Sequence, residues 1–196
     1  MPAASLQRAR GRPRDPDVDE RVLAVARRLL AEKGYDALSF EAIALAAGVG
    51  KPAIYRRWPT KAHLASEIAT GGGEGLPDII AGHGLVAQIR AIVAQATAFY
   101  GRQEMRPALL GVFASYQSGT ALREDFRRLE SDTRATWQSI VASGQAAGQI
   151  RTDIDPDTVF DMIVGSIIFR ALLSEIAAPA DHVERLTDQL VKSIGL

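Results

Sequence analysis

Apolar residues recur at intervals of three and four along most of this chain, and no stretch alternates apolar and polar residues for long. That spacing is the period of an amphipathic helix. A first helix is predicted over about residues 17–33, with acidic residues at its start and Lys33 near its end, as the helix dipole favours. Its apolar positions are Val18, Val22, Val25 and Leu29.

Three short helices are predicted to follow, separated by residues that end and begin helices. Ser39 precedes the apolar series that starts at Phe40 and is placed to cap a second helix. Gly48-Val49-Gly50 predicts a tight turn, because glycine accepts the positive φ that other residues resist. Pro52 then stands at the start of a third helix, where a missing N–H costs nothing. Thr60 is placed to cap a fourth helix.

The glycine-rich residues 71–77 are the main break in composition and predict a hinge or domain boundary. Beyond it, apolar series predict helices near residues 89–99, 106–117, 122–148, 155–176 and 183–194, and the helix at 155–176 is apolar on more than one face. Asp155 and Asp181 are placed to cap the last two helices. We therefore expect an all-α protein. Its expected parts are a disordered basic arm (1–14), a first helical domain (15–70) with a helix–turn–helix at 39–58, and a second helical domain (77–196).

Charge is divided unequally between the two halves, although the formal net charge is zero. Residues 1–70 contain 12 Lys and Arg against 8 Asp and Glu, whereas residues 71–196 contain 11 against 15. Four arginines precede the first acidic residue. A basic front half indicates a polyanionic partner, and the acidic remainder indicates a separate task.

The third predicted helix has a basic outer face. Ile54 and Trp58 are its apolar positions and should pack on the preceding helices, which turns Lys51, Pro52, Tyr55 and Arg56 outward. A helix with an exposed basic N-terminal end, braced by a previous helix, is the geometry that enters a DNA major groove. Lys51 and Arg56 can donate to guanine, while Ser39, Thr60 and Lys61 can contact phosphates on either side.

Residues 17–64 resemble the N-terminal DNA-binding domain of the TetR (tetracycline repressor) family. The resemblance is carried by the order and spacing of residues 31–64, AEKGYDALSFEAIALAAGVGKPAIYRRWPTKAHL. It implies a homodimeric transcriptional regulator, usually a repressor, whose C-terminal helical domain binds a small molecule and dimerises. Operator DNA, a small-molecule effector and a second copy of the chain are thus the expected partners, and no cofactor is expected.

The resemblance also implies which residues contact DNA. The positions that match the family's usual phosphate or base contacts are Ser39, Lys51, Tyr55 and Lys61. The positions that vary and tune specificity are Glu41, Gly50, Pro52, Ala53, Arg56 and Arg57. The arm residues Arg10, Arg12 and Arg14 resemble arms that lie in the minor groove, where narrow A·T-rich stretches attract arginine.

The C-terminal half offers candidates for an effector site and for a dimer face. A pocket combines aromatic walls with few polar groups, and the candidates are Phe99, Tyr100, Tyr116, Trp137 and Arg170; core packing is the alternative for each. The helices at 155–176 and 183–194 resemble the pair that forms a four-helix bundle across the family's dimer axis. The predicted interface residues are Val164, Ile168, Leu172, Val183, Leu186, Leu190 and Ile194, with a fully intramolecular core as the alternative.

Other classes of protein have less support in the residues. The chain has no cysteine, which excludes disulfides and thiolate metal sites and fits a reducing compartment. Its three histidines lack metal-ligand spacing, and no apolar run approaches a membrane span. We therefore expect a cytoplasmic protein without enzymatic activity. The alternatives are an effector-binding protein that has lost DNA binding and, with less support, a helical enzyme or carrier.

Overall fold

The computed structural model describes residues 16–71, 84–115, 120–174 and 179–195, which contain nine α-helices and no β-strand. The all-α prediction is confirmed over these ranges. The helices are α1 (Pro16–Lys33), α2 (Phe40–Ala47), α3 (Lys51–Arg57), α4 (Lys61–Ala69), α5 (Leu85–Tyr100), α6 (Met105–Ser115), α7 (Thr120–Ala146), α8 (Pro156–Leu173) and α9 (His182–Ile194). The predicted arm and most of the glycine-rich break lie outside the described residues.

Two of the predicted side-chain caps are present. Ser39 Oγ accepts a hydrogen bond from the Ala42 amide at 3.2 Å and begins α2. Asp155 accepts from the Thr158 amide at 3.1 Å and begins α8, with Pro156 in the first turn. These oxygens satisfy amides that have no partner within the helix, so local sequence determines where both helices start.

Two other predicted caps stand at the right positions but make different contacts. Thr60 precedes α4, and its hydroxyl pairs with His63 Nδ1 at 2.9 Å instead of with a backbone amide. Asp181 precedes α9, and its carboxylate accepts from Arg185 Nε at 2.6 Å, which lowers the pKa of Asp181. In each case a side chain one helical turn further on has taken the oxygen that would have capped the helix.

Buried apolar side chains form two clusters that divide the helices between them. The first cluster unites α1–α4 with α6 and with Leu172 of α8. The second unites α5, α7, α8 and α9 around Trp137 and Phe160. The interior of the N-terminal helices therefore continues into α6, past the glycine-rich break, mainly through the packing of α4 on α6.

Helix α8 is apolar on more than one face, as predicted, because it contributes to both clusters and also to the surface. The side chains that it buries in the second cluster are those of Val159, Phe160, Ile163 and Ile167. Its exposed apolar side chains are Met162, Phe169 and Leu173, with 54%, 61% and 62% of their surface accessible. These three form an outward stripe at helical spacing, which we call the α8 stripe.

The predicted dimer face requires a correction at three of its seven residues. Leu172, Leu190 and Ile194 are buried within this chain's own clusters, and Val164, Ile168, Val183 and Leu186 are partly buried against them. Leu190 and Ile194 of α9 pack in the second cluster, which α5 also lines, and are not available to a second chain. The apolar surface that α8 leaves open is the α8 stripe.

A tyrosine from the turn after α1 joins the two halves of the described structure. The Tyr35 ring lies against Gly111 of α6 so closely that a Cβ on Gly111 would overlap Tyr35 Cδ2. The Tyr35 hydroxyl is 3.4 Å from Ser115 Oγ at the end of the same helix. Only glycine leaves room for the ring, so the contact depends on residues 76 positions apart in sequence.

Replacing Gly111 with alanine is expected to destabilise the protein. Alanine normally improves a helix by up to about 1 kcal/mol over glycine, but overpacking against the Tyr35 ring costs about 1–3 kcal/mol. Chemical denaturation should show a net loss of stability in Gly111→Ala. The same substitution in a Tyr35→Ala background should be neutral or stabilising, and a more stable Gly111→Ala single variant would contradict the contact.

Candidate nucleic-acid interface

The turn between α2 and α3 depends on one left-handed glycine. Gly48 ends α2 with φ of +65°, and its N–H donates to Ala44 O. A Cβ here would meet nothing within 4 Å, so the requirement for glycine is conformational and not steric. Gly50, in extended conformation, then stands at the N-cap of α3. A helix–turn–helix is therefore present where the sequence predicted it.

Two apolar residues fix α3 against the rest of the protein. Ile54 and Trp58 are almost fully buried in the first cluster, which confirms their predicted role as braces. The Trp58 indole N–H donates to Glu67 Oε2 of α4 at 2.6 Å. A hydrogen bond to a charged acceptor is among the stronger ones in proteins, so the end of α3 is tied directly to α4.

The opposite side of α3 is exposed. Lys51, Pro52 and Arg56 are on the surface, and Tyr55 has half of its side chain accessible. The Tyr55 ring meets the Phe40 ring in a T-shaped contact, with centroids 4.9 Å apart and planes at 85°. That contact holds the ring in place and leaves the other side of Tyr55 open to solvent.

An ion pair joins the outer face of α3 to α2. Lys51 Nζ lies 2.6 Å from Glu41 Oε1, and both side chains are largely exposed. The hydrogen bond from Lys51 lowers the pKa of Glu41, and the same bond raises the pKa of Lys51. Both groups are therefore charged near neutral pH, and an approaching phosphate would compete with Glu41 for Lys51.

The remaining predicted cations of this region are held closer to the protein. Arg57 Nη2 pairs with Asp19 Oδ2 of α1 at 2.8 Å. Lys61 Nζ is 3.3 Å from the Tyr35 carbonyl oxygen and 4.4 Å from the centroid of the Tyr35 ring. Arg56, by contrast, is exposed and pairs with no carboxylate in the described residues.

The other predicted contact residues have simpler surroundings. Ser39 is half-buried, and while its oxygen accepts from Ala42 its own hydroxyl proton remains available to a further acceptor. Gly50 is exposed and Ala53 is half-buried. Arg10, Arg12 and Arg14 lie outside the described residues. Together the described residues place donors and cations on one side of the helix–turn–helix, which suits a polyanion.

A separate apolar cavity of about 240 Å³ lies among α5, α7 and α8. It contains three of the predicted effector-site residues, namely Phe99, Tyr100 and Trp137. Arg170 lies instead in a neighbouring cavity that Tyr100 also lines, and Tyr116 is outside the described residues. Thr70, which ends α4, reaches the apolar cavity as well, so this cavity touches the helix that holds α3.

Sequence reasoning missed two residues that shape these sites. Glu67 anchors Trp58, and the signal for it was an acidic residue within the apolar series of α4. Arg134 donates to Glu130, Asp157 and Asp161 at 2.9, 3.2 and 2.8 Å, which raises its pKa. Only its i,i+4 spacing from Glu130 was visible in the sequence.

Metal and membrane sites have no counterpart in the described ranges. Over residues 16–71, 84–115, 120–174 and 179–195, no group of three or more His, Asp or Glu is placed to hold a metal ion. In the same ranges no helix is both long and apolar enough to cross a bilayer.

Comparison with known proteins matches both halves of the chain. Residues 22–68 match the family described as "Bacterial regulatory proteins, tetR family", and residues 83–190 match "Tetracyclin repressor-like, C-terminal domain". The HTH-type transcriptional regulator YdeS of Bacillus subtilis is 28% identical over 193 residues, which cover 96% of each chain.

Solved structures share the fold. One, described as a TetR-family transcriptional regulator from Mesorhizobium loti, has a TM-score of 0.71 at 19% identity and covers 94% of this chain and 100% of its own. Another, a transcriptional regulator from Saccharomonospora viridis in complex with choline, has a TM-score of 0.69 at 16% identity and covers 93% and 100%.

The Glu67–Trp58 hydrogen bond predicts how two similar substitutions will differ. Glu67→Leu leaves the buried indole N–H without an acceptor, which costs about 1–3 kcal/mol. Glu67→Gln keeps an oxygen at the same place and should cost less than the leucine. Urea unfolding of both variants measures the difference, and equal stabilities would show that the hydrogen bond contributes nothing.

Proposed function

Because this chain belongs to the TetR family of bacterial regulatory proteins, we propose that it is a ligand-responsive repressor whose helix α3 reads operator DNA. It is a DNA-binding transcriptional regulator, as its relatives are. The observation that carries the proposal is the two-sided character of α3. Ile54 and Trp58 hold one side in the core, while Lys51, Tyr55 and Arg56 face outward.

The predicted contact residues divide into two groups by what they can bind on DNA. Lys51 and Arg56 can donate to the O6 and N7 acceptors of guanine in the major groove. Tyr55, Ser39 and Lys61 carry donors that suit phosphates, which position the protein without reading sequence. Arg10, Arg12 and Arg14 remain predicted minor-groove contacts. We propose a cytoplasmic location for the protein, because the operator DNA of a bacterial regulator is found there.

Five further residues of the predicted set are proposed to restrain or shape the α2–α3 region. Glu41 restrains Lys51 in the free protein, and on DNA it can accept from the amino group of cytosine. Arg57 braces α3 on α1 through Asp19. Pro52, Gly50 and Ala53 shape the start of the helix and the distance at which its backbone approaches a base pair.

The apolar cavity is the proposed effector site. The same fold is known in complex with choline in the Saccharomonospora viridis protein, which supports a small molecule as ligand. Thr70 connects the cavity to α4, and Glu67 of α4 holds Trp58 at the end of α3. An effector that binds better when α4 is displaced would therefore shift the protein's population toward conformations in which α3 no longer fits the operator.

We propose a homodimer that forms through the α8 stripe. Two reading helices must meet successive major grooves, about 34–36 Å apart, so the operator requires two heads. Met162, Phe169 and Leu173 present apolar side chains on one side of α8, with Gly165 and Ser166 between them. A symmetric axis would pair this stripe with itself.

The DNA contacts are tested by binding measurements at several salt concentrations, on fragments selected from genomic DNA. Lys61→Gln should weaken binding to all sequences and reduce the salt slope by about 1.8, because each subunit of the bound dimer loses one phosphate contact. Arg56→Gln should cost about 1–3 kcal/mol on the selected site and change the preferred bases. Tyr55→Phe should weaken binding while stability is kept, because the contact with Phe40 remains.

The control for these variants is Arg90→Gln, which removes an exposed arginine from α5 without touching the helix–turn–helix. It should bind as the unchanged protein does. If the unchanged protein selects no fragment, or binds without salt dependence, the alternative holds: the chain is an effector-binding protein that has lost DNA binding.

The dimer face is tested by Phe169→Glu. A charge in the centre of the α8 stripe should convert the dimer to a monomer, because two carboxylates would be buried against each other. Sedimentation at several concentrations measures the change. Leu45→Glu alters a still more exposed apolar residue, on α2, and should leave the dimer intact. A Phe169→Glu variant that stays dimeric would place the interface elsewhere.

A further inference from the structure

Glu41 places a carboxylate on the surface that meets a polyanion. It lies in the first turn of α2, and its Oε1 is 2.6 Å from the Nζ of Lys51 at the start of α3. The side chain of Glu41 is 62% accessible to solvent and that of Lys51 is 47% accessible. An ion pair this exposed contributes little to stability. Holding α2 and α3 together is therefore a poor explanation for a negative charge at this position.

The ion pair is continuous with the rest of the reading surface. Tyr55 follows Lys51 by one helical turn and has half of its side chain accessible. The Tyr55 ring contacts the ring of Phe40, which is the neighbour of Glu41 in α2. An anion, a cation and a phenol thus lie side by side across the junction of the two helices.

The carboxylate opposes binding to DNA of arbitrary sequence in two ways. The hydrogen bond between the two side chains lowers the pKa of Glu41 and raises that of Lys51, so both are charged near neutral pH. Non-specific binding depends on cations that meet phosphates. Glu41 withholds Lys51 from a phosphate and is itself repelled by the DNA backbone. Like charges placed across an interface in this way act against wrong partners.

One kind of base pair offers a partner to each member of the ion pair. In the major groove a G·C pair presents the O6 and N7 acceptors of guanine beside the N4 amino group of cytosine. Lys51 can donate to the guanine while Glu41 accepts from the cytosine. An A·T pair in the same orientation places the N6 amino group of adenine beside the lysine and the O4 acceptor of thymine beside the carboxylate. Both side chains then face a group of their own kind.

We propose that Glu41 and Lys51 read one G·C base pair in each half-site as a unit, and that Glu41 weakens binding to DNA that lacks it. This inference deepens the proposed function and rests on α3 being the reading helix. Arg56 adds affinity by what it contacts, whereas Glu41 adds specificity by what it rejects.

The carboxylate is tested with Glu41→Ala, which removes the charge without adding a hydrogen-bonding group. On random-sequence DNA this variant should bind about threefold more tightly or better, because a like charge has been removed. Its salt slope there should become steeper by about 1.8, because each subunit of the dimer releases one lysine to a phosphate. The ratio of operator affinity to random-sequence affinity should fall by about tenfold, within the range of one good base contact.

The control is Asp132→Ala, which removes an exposed carboxylate from α7 and changes the net charge by the same amount. It should keep both the salt slope and the affinity ratio of the unchanged protein. Thermal unfolding of both variants checks that the fold is kept, as the exposure of both side chains predicts. A Glu41→Ala variant with an unchanged affinity ratio overturns the inference.

The base pair is tested with the unchanged protein on its selected operator. Each G·C pair of the half-sites is replaced in turn by inosine·cytosine, which keeps the same groups in the major groove, and by A·T. At one position inosine should bind as guanine does, while A·T should cost about tenfold in each half-site. The A·T penalty at that position should shrink in Glu41→Ala. Penalties that are the same in both proteins at every position overturn the joint reading.

The same measurements separate this inference from the proposed function. A chain that selects no DNA fragment overturns both. A chain that selects an operator, with an affinity ratio that Glu41→Ala does not change, overturns only the role of Glu41 and leaves α3 as the reading helix.

Discussion

The hydrogen bond from the Trp58 indole to Glu67 is the contact on which the arrangement of this protein depends. Trp58 follows the last turn of α3, and Glu67 lies in α4. The bond therefore fixes the orientation of α3 relative to α4. Helix α4 in turn packs on α6 and ends at Thr70, beside the apolar cavity. Any movement of α4 must therefore carry α3 with it or break a charge-assisted bond in a buried setting.

The two halves of the described structure are joined by packed side chains. Composition placed a boundary at residues 71–77, yet the first cluster extends across it into α6 and reaches Leu172 of α8. Tyr35 adds a second contact, because its ring fills the space that Gly111 leaves open. The orientation of the helix–turn–helix is thus determined where α4 and Tyr35 meet α6, and a ligand that shifts those helices has a direct mechanical route to α3.

The net charge of each half of the chain does not predict the charges at its functional surfaces. The C-terminal half is acidic in total, but it brings three arginines to one cavity. The N-terminal half is basic in total, but it holds Arg57 in an ion pair with α1 and places Glu41 beside Lys51. Counting charges along the chain indicated the class of partner for the first half. The same count gave no indication that arginines of the acidic second half line one cavity.

The sequence by itself determined the helices and the helix–turn–helix, because the signals for them are local. Ser39 caps α2, Gly48 supplies the left-handed turn and Ile54 marks the buried side of α3, all within a few residues of the structure they specify. The family resemblance, and with it the class of function, followed from the same short stretch.

Only the tertiary structure decided which side chains are free to act. Leu190 and Ile194 form an apolar stripe that suited a dimer face, but α5 covers them, and the open surface is the α8 stripe. Glu67 accepts a hydrogen bond from Trp58. Arg102, Arg106 and Arg170, from distant parts of the chain, line one cavity. A periodic pattern shows that a face is buried but not against what, because the partner comes from a distant part of the chain.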